Sequence, residues 1–283
     1  MLANAYVNGV WGGMSREEAS AAAHAAISRA IELNPDSVDS FLALGEIYLF
    51  LDLDYASAKA SFEPGLDRFP GHPWFRIDLA RIALREGRPR EALRQMATAS
   101  VLDAGQGRAS FLNTYGWVLL VAGDYEQARK VYSEGLNLAL GGRVRLGNMR
   151  GQIAALINLG RIDEAKTLLA EAWDLDGRLR PEAYISAFVG IGEKERAERI
   201  LADSQSTDYY SLARGHLALG DIDNTFKAIE AAIENRRFLM IESLRAAEWW
   251  DEIRDDPRFD DMLKLLDSKE THTAQYLEDH NIK

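Results

Sequence analysis

Apolar and polar positions alternate in a fixed long pattern along this chain. In residues 84–99, LREGRPREALRQMATA, Gly87 is followed five positions later by Ala92, with Met96 and Ala99 four and then three further on. The same order returns in GDYEQARKVYSEG (Gly123, Ala128, Tyr132, Gly135) and in GRIDEAKTLLAEA (Gly160, Ala165, Leu169, Ala172). Apolar residues before each glycine recur at helical intervals, as in Leu112, Tyr115, Gly116 and Leu119, and those after it do likewise. Each stretch therefore predicts two helices joined by a tight turn. Glycine ends the first helix in the left-handed conformation, where a Cβ would clash, and the small residues let the two helices approach closely.

Glycines at 87, 123, 160, 192 and 220 each stand five residues before Ala92, Ala128, Ala165, Ala197 and Thr225, at separations of 36, 37, 32 and 28 residues. That period holds two short helices and two turns, too little for an independent domain. Each unit must bury its apolar face on its neighbours, so the expected architecture is a helical solenoid.

On these residues the chain resembles the tetratricopeptide repeat. Residues 38–72 carry the resemblance best, with Phe41, Leu44, Gly45 and Tyr48, then, after one inserted residue, Ala58, Phe62, Gly65 and Pro70. The resemblance implies an all-α, right-handed α-α superhelix of about seven hairpins over residues 1–237, with about fifteen helices or more. The first hairpin needs a helix within residues 2–10 and a second starting at Ser15, where Glu18 completes a capping box. Residues 238–283 lack the repeat; DDPRFDDMLKLL, with Asp256 as cap, Pro257 at the first helical position and Phe259, Met262, Leu263 and Leu266 on one face, predicts a C-terminal helical cap. Trp249 and Trp250 are assigned to it. Pro64 falls inside a predicted helix, where a kink or an early end is expected. The SREEA opening and DPRFDDML ending are similar to tetratricopeptide regions attached to bacterial winged-helix activators and nucleotide cyclases, which implies a sensing or partner-docking module.

Charge narrows the partners. The net charge of −11 disfavours direct nucleic-acid or anionic-membrane binding. Yet residues 73–150 hold 12 Lys and Arg against 7 Asp and Glu, a basic island in an acidic chain. With no cysteine, thiolate chemistry is excluded. No phosphate-loop, dinucleotide or nucleophile-elbow motif is present, and the five histidines have no metal-ligand spacing. The expectation is a non-enzymatic, cytoplasmic protein without cofactor or metal.

What remains is the groove that the resemblance assigns to the first helix of each hairpin. Carried onto this sequence, its lining is Glu46, Phe50, Trp74, Arg81, Arg85, Asn113, Trp117, Arg150, Asn158, Tyr210 and Arg214. Arginine offers bidentate hydrogen bonds to carboxylates, and tryptophan a large apolar anchor with one donor, so the expected occupant is an acidic peptide or protein segment. The chaperone-tail clamp of some relatives is not reproduced, since Ile77 and Arg81 stand at its Lys and Asn positions. A ligand-sensing or regulatory module working with a transcriptional or signalling partner is the alternative.

Overall fold

The computed structural model describes residues 14–102, 107–139, 141–235 and 237–279. The helix expected within residues 2–10 lies outside them. Every regular element among the described residues is helical, as the period requires. The chain divides into two compact units, one made of residues 1–83, 94–103 and 264–283, the other of 84–93 and 104–263.

The first unit contains α1 (Arg16–Leu33), α2 (Val38–Glu46), α3 (Tyr55–Arg68) and most of α4 (Pro73–Arg85) and α5 (Pro89–Leu102). The Ser15 hydroxyl accepts from the Glu18 amide at 3.1 Å while the Glu18 carboxylate accepts from the Ser15 amide at 3.2 Å, the capping box that starts α1. Ala19, Ala23 and Ile27 pack on Ala43, Ile47 and Leu51. A second cluster gathers Leu42, Leu49, Ala58, Phe62, Phe75 and Ile82. Gly45 is required there, because a Cβ on it would lie 2.2 Å from the Phe62 ring.

The residue inserted in this hairpin is absorbed as a turn of π-helix, Ile47–Asp52, which widens the end of α2 and closes on Leu53 at φ +57°. The widened turn carries Asp52 into the interior, where its carboxylate accepts from the Ser20 hydroxyl and meets His24 Nε2 at 2.7 Å. Pro64 does not end α3, which runs four residues beyond it to Arg68.

The second unit stacks three hairpins: α6 (Arg108–Val121) with α7 (Tyr125–Leu138), α8 (Gly142–Asn158) with α9 (Ile162–Ala172), and α12 (Tyr209–Ala218) with α13 (Ile222–Glu234). Between the last two lies a shortened pair, α10 (Ile185–Gly190) and α11 (Lys194–Asp203), entered through a π turn, Trp173–Gly177, and a 3-10 turn, Pro181–Tyr184. All five recurrent glycines hold positive φ, between 70° and 89°. Tyr132 fills the space that two other glycines leave open: a Cβ on Gly116 or Gly151 would come within 2.5 or 2.1 Å of its ring.

After α13 the chain forms α14 (Phe238–Ser243), a 3-10 turn at Glu248–Trp250, α15 (Asp251–Arg254) and α16 (Pro257–Asp279). Met240, Leu244, Trp250 and Ile253 of this segment are buried.

Candidate functional site

The second unit brings three of the residues expected to line a groove around one pocket. Arg150 and Asn158 are two turns apart on α8, and Arg214 projects from α12. With Tyr184 and Ser186 from the shortened hairpin they supply the polar walls, and Ile153, Ile157 and Ala187 are among the apolar ones. The volume is about 90 Å³.

Each arginine is held differently. The Arg150 guanidinium donates to Asp176 at 3.0 Å and lies 6.0 Å from the Tyr184 ring. The Tyr184 hydroxyl donates to Asp176 and to the Ala172 carbonyl, both at 3.3 Å, and burial with the neighbouring carboxylate pushes its pKa up to about 12. Arg214 stacks 4.4 Å from the Trp249 ring and 5.9 Å from that of Trp250. No carboxylate of the described residues lies within ion-pair distance of it.

Two further residues expected in the groove, Trp117 and Tyr210, meet the C-terminal segment. Trp117 donates to Glu242 at 2.9 Å and lies edge to face with Tyr210 at 6.0 Å and tilted to Trp249 at 5.7 Å. Nearby, the Tyr125 hydroxyl donates to Glu248 at 3.1 Å; burial and that carboxylate push the phenol up to about 12. Asn113 packs on Gly147, where a Cβ would come within 2.8 Å of its amide nitrogen, and Arg85 is buried.

In the first unit the Arg81 guanidinium sits 5.8 Å from the Phe50 ring and 3.8 Å from Asp78 of its own helix. Burial raises the Glu46 pKa, against the lowering effect of Arg81. Trp74 is exposed. Much of the basic island is spent on ion pairs such as Arg108 with Glu134, Arg129 with Glu126 and Arg145 with Glu171, each half exposed and individually weak.

Sequence reasoning missed Tyr184, Ser186, Glu242 and the role of Trp249. The first two stand in the hairpin whose aromatic slot is unfilled by the repeat pattern. The others lie beyond it. Among the described residues no cluster of three His, Asp or Glu side chains has metal-binding proximity, and no helix is long and apolar enough to cross a membrane.

Residues 49–110 match the family model of the tetratricopeptide repeat. A chain in the crystal structure of the APC/C hetero-tetramer Cut9-Hcn1 superposes over 87% of this chain with a TM-score of 0.53 at 16% identity. At that identity the likeness is one of fold alone, and this chain spans 45% of the length of that one. No curated protein matches it. The tetratricopeptide match ends at residue 110, ahead of the pocket, so the pocket residues come from hairpins that the structure identifies.

Proposed function

We propose that this chain is a non-enzymatic cytoplasmic scaffold that binds an acidic protein or peptide segment along the first helices of its hairpins. Tetratricopeptide folds generally mediate protein–protein interaction. The observation that carries the reading is the convergence of Arg150, Asn158 and Arg214, from hairpins some sixty residues apart, on one pocket. Side chains packed only for stability have no need to leave a concavity with two guanidiniums on its wall.

The ligand-sensing alternative fares less well against this geometry. A pocket for a cofactor or drug-sized effector typically measures roughly 300–1,000 Å³, several times the about 90 Å³ found. The deciding experiment immobilises the full chain and captures binding proteins from lysate, then repeats the capture with Arg150→Glu, Arg214→Glu. A partner retained by the parent and lost by the variant supports the reading. Equal retention, or thermal stabilisation by a small molecule with no protein retained, overturns it.

A further inference from the structure

We propose that the Arg150–Arg214 pocket is a subsite for one acidic side chain, a glutamate or aspartate of the bound segment. This rests on the scaffold reading above and goes beyond it by naming what the pocket receives.

Charge is the first reason. Both guanidiniums on the wall are partly buried, and none of the residues that line the pocket is acidic. Asp176 meets Arg150 from outside the lining. Arg214 makes no ion pair among the described residues and stacks on the Trp249 and Trp250 rings. Aromatic faces offset part of the cost of withdrawing a cation from water, but a carboxylate offsets far more. An incoming acid completes the balance that this unit leaves open.

Shape is the second. The space is large enough for a carboxylate and a short stem, and the wall is divided between donors and aliphatic carbon. Arg150, Arg214 and Ser186 face the carboxylate oxygens, while Ile153 and Ala187 suit methylenes. A bare inorganic anion leaves the apolar half without a partner. The same unit already shows glutamates received by its aromatic donors: Glu242 on Trp117 and Glu248 on Tyr125.

The test uses the full chain and N-acetylglutamate N-methylamide, a blocked glutamate whose only carboxylate is the side chain. Titration is followed through the arginine Nε–H signals. Saturable shifts at Arg150 and Arg214 in the millimolar range are expected, with the glutamine isostere at least roughly tenfold weaker. Arg214→Gln should abolish the response. Because that change also loosens the Trp249 stack, Ala187→Leu serves as the second variant: it fills the pocket and leaves the stack intact, and should abolish the response too. Equal response to the glutamine isostere, an unchanged response in Ala187→Leu, or tighter binding of N-acetylvaline or inorganic phosphate overturns the assignment. Partner capture that survives Ala187→Leu refutes the subsite alone. A chain that binds the probe but retains no protein refutes the scaffold reading alone.

Discussion

The indole of Trp117 and the carboxylate of Glu242 are joined by a 2.9 Å hydrogen bond although 125 positions separate them in the chain. The bond ties the first helix of a central hairpin to the segment that follows the last one. Glu242 is buried, and the indole N–H offsets part of the cost of its desolvation. Trp117→Phe should lower the stability of the chain by about 1–3 kcal/mol, and Glu242→Gln by less, because a side-chain amide still accepts from the indole. A double-mutant cycle by chemical denaturation checks this; additive losses would show that the two side chains act independently.

The glycines under the aromatic plugs give a sharper contrast. Gly151→Ala places a methyl 2.1 Å from the Tyr132 ring, and Gly45→Ala one 2.2 Å from Phe62. Each should cost about 1–3 kcal/mol through overpacking. Tyr132→Leu in the Gly151→Ala background should recover part of that loss. Gly160→Ala meets no atom within 4 Å, yet φ is +70° there, so its cost of about 1–2 kcal/mol is backbone strain. No side-chain trimming rescues it, whereas Gly160→Asn is milder. Denaturation midpoints of the five variants separate the two mechanisms.

The raised phenols predict a loss of stability in base. Tyr125 and Tyr184 titrate near 12 when folded, against the ordinary 10.0. Between those values the unfolded chain has already lost protons that the native chain retains, so stability falls as pH rises through this window and is intact below it. Tyr184→Phe should flatten the decline. It should also cost about 0.5–1.5 kcal/mol at neutral pH for the hydroxyl's bonds to Asp176 and Ala172. Thermal melts from pH 8 upward provide the check; equal slopes for parent and variant would remove Tyr184 from the account.

Asp52 anchors the first unit. Asp52→Ala leaves the Ser20 hydroxyl and His24 Nε2 facing a buried void, and should destabilise by about 2–4 kcal/mol, the loss of a charged acceptor plus a small cavity. Hydrogen exchange should show the loosening concentrated in α1 and the π turn. Uniform change across the chain would point to a global effect instead.

The period of glycine and small residues determined by itself that the chain is helical, where its turns fall and where helices must approach closely. Those are local or nearest-neighbour matters: a left-handed turn needs glycine, and a ring such as Tyr132 needs small residues opposite it. The capping box at Ser15 and the start of α16 at Pro257 were legible for the same reason. Of the kink or early end expected at Pro64, the early end does not occur, since the helix passes through it, and the inserted residue gave its position but not its form, a π turn that buries Asp52. For the eleven residues expected in the groove, the sequence could not say what each would meet. Arg150, Asn158 and Arg214 line one pocket, Trp117 and Tyr210 pack with the C-terminal segment, and Arg85 is buried. Those outcomes depend on contacts between residues tens to more than a hundred positions apart, with Tyr184 in a divergent hairpin and Glu242 and Trp249 beyond the repeat. A repeat fixes the spacing of neighbours along the chain; only tertiary packing decides which distant side chain arrives against a given face.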